Sequence, residues 1–375
     1  MKNESPYWND VLKHSTYDEF WQSRAQWPHM KNVTPAVLLV GGWFDAEDLA
    51  GPVKLFRAIE ENGAKAANTL VMGPWSHGGW SRGDGQKLGD LDFGSKTGEF
   101  YREQIELPFF IANLKKKGDG LKAAPDNAIP KAWLFQTGTN EWRRYESWPP
   151  NNAVRRSLFF DAGGKLGFTA GQGGVDEYVS DPEKPVPVLA GIGEGMPGDY
   201  MTYDQRFAST RPDVLAYVTD PLDHDVTVAG PITASLKVAT SGTDSDFVVK
   251  LVDVYPGDYP NPDPNPARVR MGGYQQLIRG EPFRGKFRKS LSKPHPFIPG
   301  TPDMIEFSMP DICHTFRPGH RIMVQIQSSW FPLVDRNPQT FVDIPQAKAS
   351  DFVKATEHVY RGGSDGSHLE VYVVE

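Results

Sequence analysis

The sequence predicts an α/β layer followed by an all-β domain, and three observations carry that prediction. Residues 36–75 spell strand, helix, strand with short connections. From about Ile129 the chain becomes a series of short runs alternating apolar with polar residues. Gly (37) and Pro (32) are abundant in a chain of 375 residues, which favours turns between many short strands. That length exceeds what a single core usually fills, so more than one domain is expected.

Taken in order, residues 1–30 mix aromatics with charges. Ser15 or Thr16 stands as a cap ahead of Tyr17, Phe20 and Trp21, and a helical cap layer is expected there. Pro35 introduces AVLLVGG (36–42), a continuous apolar run closed by glycines, as in a parallel strand buried on both faces. Pro52 suits a first helical turn, Val53, Phe56 and Ile59 share a face, and Gly63 stops a helix expected over 52–62. NTLVMGPW (68–75) is the second buried strand. After a glycine-rich loop (78–98), EFYREQIELPFFIANLKKKGDG has helical spacing that Pro108 is expected to interrupt.

The polar, aperiodic stretch 115–130 is the expected boundary, so that 31–125 forms the α/β unit and 126–375 the all-β domain. KAWLFQTG, RRSLFFDA, ITASLKVAT, DFVVKLVDVYP, HRIMVQIQSS and LEVYVVE are its expected strands, arranged as an antiparallel jelly-roll sandwich. The Pro/Asn/Asp stretch 255–270 is expected as a long surface loop, with calcium binding the lesser alternative.

A net charge of −7 offers no basic field for a phosphate backbone, so no nucleic-acid partner is expected. No run is long enough for a membrane span, and MKNESPYWND lacks the apolar core of a signal peptide, which leaves the compartment open. The single cysteine, Cys313, excludes an internal disulfide and a multi-cysteine metal site.

Chemistry concentrates on two loops. Asp45 follows the first strand in GGWFD and His77 the second in GPWSHG, just past the carboxyl ends of neighbouring parallel strands, where open α/β sheets bind ligands. An Asp followed by a His on successive late loops is the order α/β hydrolases use, with the serine upstream on a GxSxG elbow. The imidazole would take the serine proton while the carboxylate fixes its tautomer. The competing reading makes Asp45 a helix cap and His77 a turn residue.

Ser76 is a poor nucleophile beside His77, because neighbours in an extended loop point apart. The only GxSxG string, Gly362–Gly366 around Ser364, follows the histidine and has no helix behind it, so it reads as a turn. His314 and His320, with Cys313 nearby, lack a tight metal spacing and are expected to pack in the sandwich. Trp43, Trp75 and Trp80 suit either an acyl pocket or the core, and SSWFPLVD (328–335) an interface between the domains or, as the lesser alternative, its rim.

The segments GGWFDAEDLAGP, GPWSHGGW, DPLDHDVTVAGPITASLKVATSGTDSDFVVKLVDVYP, GGYQQLIRGEPFRGKFR and FRPGHRIMVQIQSSWFPLVDRNPQT resemble the X-Pro dipeptidyl-peptidase/cocaine-esterase superfamily of α/β hydrolases, over nearly the whole chain. Asp45-Ala-Glu-Asp48, with a histidine 32 residues after Asp45, is most similar to α-amino-acid ester hydrolases and glutaryl-7-aminocephalosporanic acid acylases. The resemblance implies that Asp45 and His77 are catalytic. It also implies that Glu47 and Asp48, with a third carboxylate from the N-terminal half, bind the substrate's α-ammonium group. Without it, Glu47 and Asp48 read as helix N-terminal acids.

The resemblance further implies the C-terminal half of an α/β-hydrolase sheet followed by a galactose-binding-like jelly roll. The expected function is that of a serine hydrolase acting through an acyl-enzyme on esters or amides of α-amino acyl groups, or on X-Pro dipeptides. Its serine is expected before residue 1, so an N-terminal hydrolase half is the expected partner and the isolated chain is expected to be inactive. Half a sheet leaves an unpaired edge, so a sticky fragment is expected, with homo-oligomer formation left open. No cofactor or metal is implied, and relatives are often exported. The alternative is a non-catalytic jelly-roll interaction module carrying a degenerate hydrolase remnant.

Overall fold

The computed structural model describes residues 4–63, 65–114, 129–191, 197–363 and 365–375. Ser364 and most of the expected boundary at 115–130 lie outside them.

Two short helices open the chain, α1 (Pro6–Lys13) and α2 (Glu19–Gln22). The cap of α2 is Asp18, not Ser15 or Thr16: its carboxylate accepts the Phe20 N–H at 3.1 Å and brings negative charge to the helix N-terminus.

The predicted strand–helix–strand unit follows as β1 (Val37–Gly42), α3 (Ala50–Glu61) and β2 (Asn68–Gly73). The strands run parallel, Val37 beside Asn68 and Gly42 beside Gly73. Helix α3 buries Val53, Phe56 and Ile59 as their spacing predicts. A side-chain carbon on Gly42 would stand 2.1 Å from the Trp75 carbonyl oxygen, so only glycine lets the two strand ends approach.

A small hairpin, β3 (Lys87–Leu88) with β4 (Leu91–Asp92), precedes a continuous helical stretch of α4 (Thr97–Phe100), a π-helical segment Tyr101–Glu106 and α5 (Leu107–Leu114). Pro108 does not interrupt it. The wider turn ahead of the proline absorbs the missing N–H and the ring.

Next come β5 (Ala132–Gln136), parallel to β2, and β6 (Glu141–Tyr145), antiparallel to β5, completing a sheet of order β1-β2-β5-β6. KAWLFQTG was expected in the sandwich, and its hydrogen bonds place it in this sheet instead. The physical reason is burial on both faces, with Ala132, Leu134 and Phe135 all at 0% exposure, as a strand in a covered parallel sheet requires.

The remainder is β-rich: β7 (Ala153–Asp161), β8 (Lys165–Gly167), β9 (Gly174–Ser180), a one-turn helix α6 (Arg206–Ser209), β10 (Leu215–Val218), β11 (Val226–Thr240), β12 (Asp246–Val254), β13 (Gln275–Arg284), β14 (Asp303–Phe316), β15 (Arg321–Gln327), β16 (Ala355–Arg361) and β17 (His368–Val374). These eleven strands form one hydrogen-bonded array, antiparallel except where β10 meets β8. Leu158, Tyr178, Leu236, Val249, Ile278, Phe316, Ile326, Val359 and Leu369 come from strands across the array yet share one core, so the array wraps around it.

Strand β12 is buried on both faces. Phe247, Val249 and Leu251 point into that core, while Val248 and Val252 join Trp43, Phe44, Leu70, Met72 and Leu134 of the first sheet. The β-rich part is thereby packed directly against the loop that carries Asp45. Among the described residues no helix is long and apolar enough to cross a membrane.

Within the β-rich part Glu357 is fully buried, and its Oε1 accepts the Thr240 hydroxyl at 3.0 Å. Burial pushes its carboxyl up to about 8, against an ordinary value of 4.5. Between those values the folded state holds a proton that the unfolded chain has released, so stability falls as pH rises from 4.5 to 8. The slope from this group is at most about 1.4 kcal/mol per pH unit. Denaturant melts at pH 5 and pH 8 are expected to show the loss in the parent chain and to show it much reduced in Glu357→Gln.

Candidate active site

Backbone hydrogen bonds tie the carboxyl ends of β1 and β2 together. The Trp43 N–H donates to the Gly73 carbonyl at 2.8 Å and the Phe44 N–H to the Trp75 carbonyl at 3.1 Å. The two loops therefore leave the sheet side by side. In the first, Asp45 is 2% exposed and its Oδ1 accepts the N–H groups of Glu47 (2.8 Å) and Asp48 (3.0 Å), which locks the carboxylate within its own turn. In the second, the Gly79 N–H donates to the Ser76 carbonyl at 2.9 Å, and Gly78 at φ +68° turns the chain so that His77 faces Asp45.

His77 Nδ1 lies 3.2 Å from Asp45 Oδ2 and 3.3 Å from Oδ1. With its Nδ1 proton directed at the carboxylate, the ring carries its lone pair on Nε2, which has no hydrogen-bond partner among the described residues. The Asp45 side chain is 1% exposed and that of His77 44%, so a buried carboxylate backs an imidazole open to solvent. Such a pair can accept a proton at Nε2 and stabilise the resulting imidazolium. Asp45 caps its own turn and not α3, whose start carries no side-chain cap.

Glu47 and Asp48 lie exposed on the same turn, with Asp48 Oδ2 3.7 Å from His77 Nδ1. All four singled-out residues thus sit within one pair of loops. Ordinary carboxylates and an imidazole make up this set, and among the described residues no group of His, Cys, Asp and Glu is arranged to hold a metal.

The support beneath the Asp45 loop comes from far along the chain. Arg279 on β13, 1% exposed, donates through Nη1 to the Trp43 carbonyl (2.9 Å) and through Nη2 to the Asp311 carbonyl (3.0 Å). Burial pulls its guanidinium down to about 10. The Asp311 carboxylate accepts from Arg57 Nη2 on α3 (2.5 Å) and from Trp148 Nε1 (2.8 Å). An isolated arginine in a strand carries no local signal, and sequence reasoning missed it.

Trp43 and Trp75 are core residues, each 2% exposed, with their indole N–H groups donating to the Phe135 carbonyl and the Thr97 hydroxyl (both 2.8 Å). Trp80 packs against Trp75. Trp330 of SSWFPLVD joins the cluster between β12 and the first sheet. His314 and His320 both bond Asp253, a partner the spacing did not suggest.

Residues 126–370 match the X-Pro dipeptidyl-peptidase C-terminal non-catalytic domain, and residues 1–79 match the X-Pro dipeptidyl-peptidase (S15 family). Cocaine esterase of Rhodococcus sp. (strain MB1 Bresler) is 30% identical over 98% of this chain and 61% of its own length. Among solved structures, an aminopeptidase from a marine sediment Thaumarchaeota archaeon is 39% identical with a TM-score of 0.89, over 98% of this chain and 60% of that one. An α-amino acid ester hydrolase is 38% identical with a TM-score of 0.90, over 99% and 61%. The chain therefore spans about three-fifths of the length of these relatives. A match over most of the chain, carried by residues in both sheets, makes this protein a member of the X-Pro dipeptidyl-peptidase/cocaine-esterase superfamily of hydrolases.

Proposed function

We propose that this chain supplies the acid and base of a serine hydrolase that cleaves esters or amides of α-amino acyl groups through an acyl-enzyme, with the nucleophilic serine contributed from outside these 375 residues. The observation that carries this reading is the Asp45–His77 pair: a buried, doubly hydrogen-bonded carboxylate facing an exposed imidazole at the carboxyl edge of a parallel sheet. The segment that carries the serine also supplies, in this reading, the hydroxyl for His77 Nε2 and the donors that stabilise a tetrahedral oxyanion. In this reading the first sheet is the C-terminal half of an α/β-hydrolase sheet, β1 is the edge that a preceding segment extends, and the β-rich part is a jelly roll that braces the site.

The substrate follows from Glu47 and Asp48. Two carboxylates on the turn that carries Asp45 attract an ammonium group and hold the acyl carbon at a fixed distance from the nucleophile. Exposed as they are in this chain, they attract only weakly, and a covering segment that excludes water strengthens them.

The test is reconstitution. Co-expression of this chain with the segment that precedes the matched region in α-amino acid ester hydrolase is expected to release acid from an α-amino acid ester, while either part alone does not. Activity in this chain alone, or none in the pair, would count against the reading. Glu47→Gln in the reconstituted enzyme is expected to raise KM for substrates with a free α-amine by roughly tenfold, the equivalent of about 1.4 kcal/mol, and to leave deaminated analogues nearly unchanged. Equal losses for both substrate types would remove ammonium recognition from the proposal.

A further inference from the structure

Three carboxylate oxygens from two residues face a single nitrogen, His77 Nδ1. Those of Asp45 lie at 3.2 and 3.3 Å, and Asp48 Oδ2 stands at 3.7 Å. The turn accounts for the third. Asp48 donates its backbone N–H to Asp45 Oδ1 at 3.0 Å, which folds the chain back over that carboxylate and brings the Asp48 side chain to the same imidazole. Glu47, whose N–H bonds the same oxygen at 2.8 Å, makes no ion pair with His77 among the described residues. The two neighbouring acids therefore stand differently toward the ring.

Asp45 by itself is a stretched counter-ion. Charge-assisted N–H···O contacts to a carboxylate run at about 2.7–2.9 Å, and both of its contacts with His77 are longer. Its Oδ1 is also shared with two backbone N–H groups, which draw on the same negative charge. When the ring takes up a proton at Nε2 it becomes an imidazolium whose Nδ1–H still faces these oxygens. A second carboxylate at 3.7 Å attracts that cation. With the Asp48 side chain 71% exposed the attraction is screened, and it grows once a covering segment excludes water.

We propose that Asp48 is a positioning residue for proton transfer as well as a contact for the substrate: its carboxylate is a second counter-charge to the His77 imidazolium. This role rests on the hydrolase reading given above, since it is a role in that reaction. Because charges act additively, removing Asp48 costs the imidazolium the same attraction whether or not an ammonium group is bound nearby. Asp48 thus acts on turnover even for a substrate that has no amine to bind.

The experiment compares kcat and KM of the reconstituted enzyme on phenylalanine methyl ester and on its deaminated analogue, for the parent, Asp48→Asn and Asp48→Glu. Asparagine has the shape of aspartate, the side chain it replaces is exposed, and the backbone N–H that closes the turn is retained, so the fold is kept. On the deaminated ester Asp48→Asn is expected to lower kcat by roughly fivefold to tenfold with little change in KM, and Asp48→Glu to recover part of the loss. On the amino ester the same variant is expected to lower kcat and to raise KM as well. Raising the ionic strength from about 0.05 M to about 0.5 M should narrow the gap between parent and Asp48→Asn, which a structural role would not do.

A kcat within twofold of the parent for Asp48→Asn on the deaminated ester overturns the inference and leaves the hydrolase reading standing. So does a loss that neither glutamate nor salt alters. A reconstituted pair with no turnover on either ester removes the hydrolase reading, and the role of Asp48 with it.

Discussion

Replacing His77 by alanine in the reconstituted enzyme is expected to lower kcat by roughly 10⁴-fold or more, with little change in KM. Among the described residues the imidazole is the group that hydrogen-bonds the Asp45 carboxylate from the second loop, and no other histidine lies on either loop. The cost to the fold is expected to be small. The His77 side chain is 44% exposed and Asp45 keeps the Glu47 and Asp48 N–H groups, so losing one partner of the buried carboxylate is expected to cost about 1 kcal/mol. A slightly lowered melt, combined with abolished turnover, is thus the signature of a catalytic group. Activity within tenfold of the parent would end the assignment of His77 as the base. Asp45→Asn tests the other member: the amide oxygen still accepts the Glu47 and Asp48 N–H groups, so the turn survives while the imidazolium loses its counter-charge.

Arg279→Met is expected to have the opposite signature, a loss of both stability and turnover from a residue that touches no substrate. Methionine fills most of the space but donates nothing, leaving the buried carbonyls of Trp43 and Asp311 without their donors. At about 1–3 kcal/mol for each orphaned group, partly offset because a buried guanidinium is itself costly, a net loss of about 2–3 kcal/mol is expected. Glu281, which burial pushes up to about 7, also loses a neighbouring positive charge that now holds it down. Because Trp43 stands two residues ahead of Asp45, the untethered loop is expected to lower kcat more than it raises KM. Amide hydrogen exchange over Trp43–Asp48 should quicken in step. A variant that is destabilised but exchanges and turns over normally would make Arg279 a purely structural residue.

The same arginine marks where sequence reasoning stopped. Strong local signals were readable: NTLVMGPW as a buried strand, AVLLVGG as a strand, though Val37, Leu38, Leu39 and Val40 are only half-buried, and Val53, Phe56 and Ile59 as one helix face. The pairing of Asp45 with His77 was readable because short loops after neighbouring strands have little freedom to separate. KAWLFQTG was misplaced because a short apolar run looks alike in a parallel sheet and in a sandwich, and only its partner strand distinguishes them. Pro108 misled because its usual effect on a helix is reversed by a π-helical turn that no residue pattern announces. Asp18 was passed over for Ser15 and Thr16 because helix starts drift by a residue or two until a side chain selects one N–H.

By itself, then, the sequence determined the elements with a strong local period, the order of the two layers and the loops on which the chemistry-bearing residues stand. All of these depend on interactions spanning a few residues, whose signals survive in the linear order of the chain. Tertiary structure alone decided that β5 joins the first sheet, that β12 buries both faces, that Arg279 reaches 236 residues back to Trp43, and that His314 and His320 share Asp253. Each is a contact between groups distant in sequence, chosen by burial and by the need of buried polar atoms for partners, and neither condition exists until the layers have packed.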